Sequence, residues 1–208
     1  IHKLLREYNN NIFINKRNNA NNYPVLLQSI YDIDIPKKYL IMKYIEGADL
    51  LDYITPRVKR KEEIDYESII KDVGKNISWL QQNNLVHLDI KLENYIHNGK
   101  TNCLTMIDFE SLSVASSKYS KKNEIVGTDS YMSPEMFHDN MFHRNTDLWS
   151  MGIMGFILCN HYNPLYINEK RSCLQEYAYQ ELKKKDSLFA EKIYHLLHFD
   201  AEKRINYF

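Results

Sequence analysis

Apolar residues recur every three or four positions along residues 65–82. They are Ile69, Ile70, Val73, Ile77 and Leu80. This spacing places them on one face of a helix, so the pattern predicts an amphipathic helix. Nearer the start of the chain, residues 25–31 and 38–44 are dominated by β-branched and aromatic residues, and a turn containing Pro36 separates them. That composition predicts two strands.

The first sixty residues carry further local signals. Residues 2–8 predict a short helix, whereas the asparagine runs at 9–11 and 18–22 predict loops. Residues 49–55 predict a second short helix. We expect it to end at Pro56, because proline lacks the N–H that a helix interior requires.

The second half of the chain is predicted to combine short strands with longer helices. Strands are expected at 85–86, from Tyr95 onward and at 104–107, with a hairpin turn at Asn98-Gly99. Helices are expected at 147–159, 173–182 and 187–197.

The charge balance excludes one class of function. The chain of 208 residues has 27 Lys+Arg and 27 Asp+Glu, so its formal net charge is zero. This removes the electrostatic case for general nucleic-acid binding. A hydrophobic content of 44% indicates a folded core.

The three cysteines, Cys103, Cys159 and Cys173, are widely spaced. Their number and spacing argue against a disulfide framework or a zinc site and predict reduced thiols in an intracellular, cytoplasmic protein. No stretch is apolar enough to cross a membrane, so we expect no membrane insertion. The first residue is Ile1 and not methionine, which indicates a fragment, a processed chain or part of something longer.

The segment from His87 to Asn94 reads His-Leu-Asp-Ile-Lys-Leu-Glu-Asn. It resembles the catalytic loop of the protein-kinase family, H-R-D-x-K-x-x-N. The resemblance implies that Asp89 orients a substrate hydroxyl and accepts its proton, and that Lys91 neutralises charge on the transferred phosphoryl group. Asn94 would hold a magnesium ion. The alternative for this octet alone is a solvated, charged loop.

Asp108-Phe109-Glu110 follows the predicted strand at 104–107 and resembles the family's D-F-G motif. By this resemblance Asp108 binds Mg²⁺ together with Asn94. Glu110 replaces the glycine, and we expect it either to stiffen this turn or to place a second carboxylate near the metal.

Residues 39–47 resemble the strand and hinge that join the two lobes of a kinase. The resemblance implies that Met42 is the gatekeeper, which is also the position of an ordinary core methionine. The remaining implied ATP contacts are the backbone of Lys43 and Ile45 to adenine, Asp49 to the ribose, and Ile96 and Ile107 lining the adenine pocket.

Residues 111–125 resemble an activation segment, with Ser113, Ser116, Ser117, Tyr119 and Ser120 as possible phosphate acceptors. Activation-segment phosphate usually pairs with the arginine of H-R-D. Because Leu88 occupies that position, we predict that switching by a phosphate on this segment is weak or absent.

Residues 127–135 resemble the motif G-T-x-x-Y-x-A-P-E. Thr128, paired with Lys91, is the arrangement of serine/threonine kinases. The resemblance also implies structural support around the site. Glu135 is expected to form a buried ion pair with Arg204, Asp147 to accept backbone hydrogen bonds from the catalytic loop, and His87 to support that loop.

Two family motifs are missing: no G-x-G-x-x-G and no V-A-I-K-like lysine precedes the hinge. Glu7 is the only acidic residue before Asp32, so it is the candidate for the small-lobe glutamate, with a solvated surface glutamate as the alternative. We therefore expect an α+β, protein-kinase-like fold. Residues 1–43 would form a partial small lobe and residues 44–208 a mainly helical large lobe.

Two main hypotheses of function follow. The first is a serine/threonine protein kinase that uses ATP and Mg²⁺ to phosphorylate protein Ser/Thr hydroxyls. The second is a catalytically weak or inactive pseudokinase that acts as a binding module, with a structural role in a larger particle as a third variant. The oligomeric state stays open.

Overall fold

The structure is a computed structural model that describes residues 2–21, 27–167 and 170–208. Its helices are α1 (His2–Asn21), α2 (Leu50–Arg60), α3 (Tyr66–Gln82), α4 (Pro134–Asp139), α5 (Thr146–Asn160), α6 (Arg171–Lys183) and α7 (Ser187–Leu196). Its strands are β1 (Ile30–Asp34), β2 (Tyr39–Met42), β3 (Ala48–Asp49), β4 (Leu85–Val86), β5 (Tyr95–Asn98), β6 (Cys103–Met106), β7 (Ser113–Val114), β8 (Ser120–Lys121) and β9 (Met141–Phe142). The strands pair antiparallel in small sheets.

The first helix is longer than the sequence predicts. It continues through residues 9–11 and 18–21, so the prediction of loops at these asparagines is wrong. Residue 22 lies outside the described residues. Tertiary contacts outweigh the loop preference of asparagine here. Nδ2 of Asn10 donates to the carbonyl of Phe109 at 2.7 Å, and Asn11 is completely buried.

The predicted pair of strands near the start of the chain is present as the antiparallel hairpin β1–β2. Both strands are shorter than the predicted segments 25–31 and 38–44, of which residues 25–26 lie outside the described part. Several apolar side chains of the hairpin are exposed, namely Tyr31, Tyr39, Ile41 and Met42.

Helix α2 passes through Pro56 and continues to Arg60, so the prediction that Pro56 ends it is wrong. Asp49 caps its start, and Lys61 closes its end in the left-handed conformation. Leu50 and Ile54 are buried on one face of this helix. Their packing outweighs the single N–H donor that proline removes.

The core is organised around α5, in which every residue from Thr146 to Cys159 is buried. A helix that is apolar on all sides has to be surrounded by other elements, and α3, α6 and α7 contact it. The predicted apolar face of α3 is confirmed, since its five residues are all buried. A Cβ at Gly155 would lie 2.5 Å from Cδ1 of Ile193, so this glycine permits the close approach of α7.

A three-stranded sheet, β3-β5-β6, lies beside this core. Its pairing places Asp49 opposite Ile96 and continues through a hairpin to β6. The turn covers residues 99–102 and not Asn98-Gly99 as predicted, because Asn98 still pairs with Cys103. Strand β6 ends at Met106 and delivers Asp108 two residues later, beside the segment that follows β4. The sheet therefore positions residues from three separate motifs near each other.

Among the described helices, we find none that combines the length and the hydropathy required to cross a lipid bilayer.

Candidate active site

Asp89, Lys91 and Thr128 form a triangle of polar contacts between two loops. The Thr128 hydroxyl donates to Oδ1 of Asp89 at 2.8 Å and accepts from Nζ of Lys91 at 3.0 Å. Nζ of Lys91 also lies 3.0 Å from Oδ2 of Asp89. All three side chains lie at least partly inside the protein, so solvent weakens these charge-assisted bonds less than at the surface. The triangle fixes the carboxylate of Asp89 in one orientation.

Asn94 links this triangle to the strand that precedes Asp108. Its Nδ2 donates to the backbone carbonyl of Asp89 at 2.8 Å and to Oδ2 of Asp89 at 3.2 Å. The backbone carbonyl of Asn94 accepts a hydrogen bond from the N–H of Ile107 at 3.0 Å. Asn94 is buried, and its amide nitrogen is already used, so its amide oxygen is the atom available to a cation.

Asp108 has a φ of 61°, in the left-handed region. This conformation costs a non-glycine residue about 1–2 kcal/mol, and such strain is concentrated at functional sites. The surroundings hold the turn in place. Phe109 is fully buried with its ring 5.4 Å from that of His87, and Nε2 of His87 lies 3.3 Å from the carbonyl of Ile107. The φ of Glu110 is not positive, so the backbone at position 110 does not require a glycine.

Asp147, at the start of α5, holds the backbone of the His87–Asn94 segment by hydrogen bonds. Its Oδ2 accepts from the N–H of His87 at 2.7 Å, and its Oδ1 accepts from the N–H of Leu88 at 2.9 Å. These are the backbone contacts that the sequence predicts for it. Leu88 has a φ of 69°, a strained conformation that the two bonds hold. Burial raises the pKa of Asp147, while His87 and the two N–H groups oppose this rise.

The predicted ion pair between Glu135 and Arg204 is present and buried. The two guanidinium nitrogens NH1 and NH2 each lie 2.7 Å from one carboxylate oxygen of Glu135. Burial alone would raise the pKa of Glu135, but the hydrogen bonds and charge of Arg204 outweigh it, and the net shift is downward. The pair ties the start of α4 to the end of the chain's helical core.

Comparison with known proteins explains this arrangement. Residues 6–207 match the family model described as "Protein kinase domain". The chain belongs to the protein kinase family. The α+β fold class and the family predicted from the sequence agree with this match.

Curated relatives carry kinase names. The chain is 30% identical to CDPK-related kinase 4 of Arabidopsis thaliana over 140 residues, which are 65% of this chain and 23% of that protein. It is 30% identical to myosin light chain kinase A of Dictyostelium discoideum over 148 residues, 70% of this chain and 50% of that protein. It is 29% identical to serine/threonine-protein kinase DCLK1 of Rattus norvegicus over 146 residues, 68% of this chain and 33% of that protein. The matched part spans half or less of each of these relatives.

The metal site implied by the protein kinase family can be tested against the residues present. Within the described residues, no group of three or more His, Cys, Asp or Glu is arranged to hold an ion by itself. Magnesium shared with a nucleotide needs fewer protein ligands, since one or two carboxylates and phosphate oxygens suffice. The carboxylate of Asp108 and the amide oxygen of Asn94 are oxygen donors of this kind, so the residues fit the ion.

Leu88 replaces the arginine of the kinase motif and lies in a small apolar cluster. The cluster consists of Val86, Leu88, Ala115, Met132, Met136 and Phe142, with Val126 packed against it. It joins the catalytic loop to both ends of the activation segment. Gly127 fits beside it with a φ of 94°, because a Cβ there would lie 2.6 Å from the carbonyl of Leu88.

The activation segment of this kinase domain is also held by strand pairing. β8 pairs with β9 through Ser120–Phe142 and Lys121–Met141. Tyr119 lies with its ring 5.3 Å from that of His143 and donates to Oδ1 of Asp200 at 3.4 Å. The weak effect of a phosphate on this segment stays a prediction.

Glu7, the candidate for the small-lobe glutamate, is partly buried and is not a solvated surface residue. Its pKa is raised to about 7, first by burial and then by the negative charges of Asp108 and Glu110. Glu110 is paired with Lys3 at 3.1 Å. Helix α1 thus packs against the Asp108–Glu110 turn and directs Glu7 toward the same electronegative region.

We expect Glu7→Gln to stabilise the kinase domain at pH 8 and to have no effect near pH 4. The folded-state pKa of about 7 exceeds the ordinary value of 4.5, so ionisation opposes folding. The penalty is absent below pH 4.5, grows between pH 4.5 and 7, and is complete above pH 7. Because Glu7 is partly exposed, solvent screening reduces the effect to about 1 kcal/mol. Urea unfolding at both pH values, in EDTA, measures it.

Glu191→Gln is the control for this prediction. It makes the same carboxyl-to-amide change at an exposed position on α7. A stabilisation by Glu7→Gln that is equal at pH 4 and pH 8 would contradict the assigned cause.

The predicted adenine and ribose contacts come from residues 42–49 and from Ile96 and Ile107. Met42 ends β2 and is 40% exposed, so it is not a core methionine. Because a gatekeeper is also expected in the core, the exposure does not support that role, and Met42 as gatekeeper stays a prediction. The N–H of Lys43 donates to the carbonyl of Ser29 at 2.9 Å. The predicted hydrogen bond from Lys43 to adenine would therefore use the backbone carbonyl of Lys43 as acceptor. Asp49 lies opposite Ile96 in the β3–β5 pair, so the predicted ribose and adenine contacts are neighbours.

Sequence reasoning missed several residues that contact the site. Asn10 and Lys3 bond to the Asp108–Glu110 turn from α1. Arg171, at the start of α6, donates to the carbonyls of Asp129 and Met132. Each contact joins residues 39 or more positions apart in the chain. No local motif carries such a signal.

Proposed function

We propose that this chain is an active serine/threonine protein kinase domain that transfers the γ-phosphate of ATP to protein hydroxyls. The observation that carries the proposal is the threefold anchoring of the Asp89 carboxylate by Thr128, Lys91 and Asn94. A general base needs a fixed geometry relative to the hydroxyl that it deprotonates. A protein that only bound nucleotide would not need this orientation.

Each residue has a role in the proposed reaction. Asp89 accepts the hydroxyl proton as the acceptor oxygen attacks phosphorus and the bond to ADP breaks. Lys91 offsets negative charge on the transferred group, and Thr128 holds Asp89 and Lys91 in register. Asn94 and Asp108 would hold Mg²⁺, which when bound neutralises charge on the phosphates.

We propose that ATP lies between the hinge and the Asp108 turn. The carbonyl of Lys43 and the backbone of Ile45 would contact adenine, with Met42 as gatekeeper. Asp49 would contact the ribose. Ile96 and Ile107 are partly buried and would face the adenine ring from the side of β5 and β6.

We also propose that residues 1–43 belong to a small lobe and residues 44–208 form the large lobe. Among the described helices, α3, α6 and α7 pack against α5 and lie in the second segment, which supports this division. The serine/threonine kinases among the curated relatives support the choice of hydroxyl acceptor.

A pseudokinase is the second candidate, and one observation favours it. Glu110 adds a second carboxylate beside Asp108, and the pKa of Glu7 is raised first by burial and then by the negative charges of Asp108 and Glu110. Excess negative charge opposes the approach of nucleotide phosphates unless cations compensate. In this alternative the fold is retained as a surface that binds a partner protein.

Transfer of labelled γ-phosphate to myelin basic protein by the full-length protein tests the proposal. We expect Asp89→Asn to retain Mg²⁺–ATP binding but to lose transfer by about 10²–10⁴-fold, the usual contribution of a general base. Asp108→Asn is expected to lose both transfer and Mg²⁺-dependent binding, the latter read as a nucleotide-induced rise in melting temperature. Asp139→Asn, an exposed change at the end of α4, is the control.

The outcomes separate the two candidates. Wild-type protein that binds Mg²⁺–ATP but transfers no more phosphate than Asp89→Asn is a pseudokinase. Wild-type protein that shows neither binding nor transfer excludes the proposed activity altogether.

A further inference from the structure

Four consecutive backbone carbonyls in the segment 129–132 each accept a hydrogen bond from a side chain of another element. Nη2 of Arg171 donates to the carbonyl of Asp129 at 2.7 Å, and Nε of Arg171 donates to the carbonyl of Met132 at 3.0 Å. The other donors are Nδ2 of Asn163, to Ser130 at 2.7 Å, and the hydroxyl of Ser150, to Tyr131 at 2.9 Å. Asp129–Tyr131 form a short 3₁₀ helix, and Tyr131 and Met132 are buried. Side chains from three other parts of the chain satisfy these carbonyls, which indicates a segment held in one conformation.

Arg171 contributes two of the four bonds. It is the first residue of α6 and only 8% exposed, and its guanidinium lies 3.6 Å above the ring of Phe137. Within the described residues it forms no ion pair with a carboxylate. Burial lowers the pKa of Arg171, and the negative charge of Asp129 opposes this shift. Burying a charged side chain is costly, so two carbonyl bonds and one aromatic contact are a poor choice for stability by themselves.

The segment that Arg171 holds is continuous with the proposed catalytic triangle. Thr128 immediately precedes Asp129, and its hydroxyl donates to Asp89 at 2.8 Å. The N–H of Tyr131 donates back to the carbonyl of Thr128 at 2.8 Å. The bonds from Arg171 therefore fix the backbone on the C-terminal side of the residue that orients the general base.

We propose that Arg171 is a positioning residue for phosphoryl transfer, holding the backbone of residues 129–132 so that Thr128 stays aligned with Asp89 and Lys91. This inference rests on the proposed function. In this proposal Arg171 acts through Thr128 and contacts neither the nucleotide nor the acceptor hydroxyl.

Arg171→Met is the main test, because methionine keeps much of the apolar stem but removes both hydrogen bonds. We expect kcat for phosphate transfer to myelin basic protein to fall about tenfold or more, since small misplacements of reacting groups are costly. The KM for ATP is expected to stay within twofold, because the proposed ATP contacts lie in residues 42–49, on β5 and just after β6. Arg171→Lys retains the charge and one donor position, and should recover part of the lost kcat.

Two control variants separate positioning from packing and from stability. Phe137→Leu removes the stacked ring but leaves both bonds, and should retain at least half of the wild-type kcat. Ile193→Val, a buried change on α7, should lower the melting temperature without lowering kcat below half of the wild-type value at 20 °C. A kcat for Arg171→Met within twofold of wild type, or a fall in kcat matched by Ile193→Val, overturns the proposal.

Hydrogen exchange gives a readout that does not depend on activity. The N–H groups of Tyr131 and Met132 are bonded within the loop, so their exchange can be followed. Arg171→Met should increase their exchange at least tenfold while α3 and α5 remain protected. If wild-type protein transfers no phosphate, the proposed function fails, and exchange alone then decides whether Arg171 holds the loop. Unchanged exchange overturns the inference.

Discussion

Replacing Arg204 with methionine is expected to lower the free energy of unfolding by about 3–5 kcal/mol, because the change leaves a buried carboxylate unpaired. The side chain of Arg204 is completely buried, and that of Glu135 is 9% exposed. Besides its two bonds to Glu135, Arg204 donates to the carbonyls of His198 at 2.8 Å and Phe199 at 3.1 Å. The replacement therefore also leaves the carbonyls of His198 and Phe199, just after α7, without this donor. Urea unfolding followed by circular dichroism measures the loss of stability.

The exposed pair Lys184–Glu181 provides the control. Lys184→Met should change stability by less than about 0.5 kcal/mol, since surface pairs contribute little. The double variant Arg204→Met with Glu135→Leu should recover part of the loss, because it removes the unpaired charge. A loss below about 1 kcal/mol for Arg204→Met alone would show that the pair is solvated.

The same pair predicts a pH dependence. Since the folded pKa of Glu135 lies below its ordinary value, ionisation of Glu135 favours folding. This contribution is present above the ordinary pKa of 4.5 and is lost as the pH falls through the lower folded pKa. The stability difference between wild type and Arg204→Met should therefore narrow at the acid end of this range.

Asp147→Ala is expected to cost about 2–4 kcal/mol and to abolish phosphate transfer. The change leaves the N–H groups of His87 and Leu88 without their acceptor, and each buried unsatisfied donor costs about 1–3 kcal/mol. Leu88 would then lose the bonds that hold its left-handed conformation, and Asp89, the next residue, would lose its position. Unfolding in urea and transfer to myelin basic protein measure the two effects.

Asp147→Asn and Asp186→Ala are the comparison variants. Asparagine keeps an amide oxygen for one of the two N–H groups, so we expect a smaller loss. Asp186 accepts from the N–H of Phe189 at the start of α7, and its replacement should cost about 1 kcal/mol without reducing transfer per folded molecule. A stability loss for Asp147→Ala no larger than that for Asp186→Ala would contradict the assigned role.

The sequence predicts those parts of the site that depend on local order. Asp89, Lys91 and Asn94 lie within six positions, so a short motif was enough to place them together. The Glu135–Arg204 pair spans 69 positions, and it could be predicted only because both ends lie in family motifs. The buried face of α3 followed from its periodicity alone.

The remainder depends on tertiary contacts that override local preference. Asn10 and Asn11 favour a loop in isolation. The bond of Asn10 to the Phe109 carbonyl, and the burial of Asn11 with its bond to the Glu7 carbonyl, keep them in α1. Pro56 is tolerated because α2 buries Leu50 and Ile54. The anchoring by Arg171 joins segments 39 and 42 positions apart without any motif. Its role became visible only once the fold placed α6 beside the loop.

The apolar cluster around Leu88 has a consequence at the level of the cell. The contact between Leu88 and its apolar neighbours forms as the chain folds, so it requires no modification by a second enzyme. We therefore predict that this contact needs no phosphate on residues 111–125. For the kinase proposed above, activity would then follow the amount of folded protein, which synthesis and degradation set.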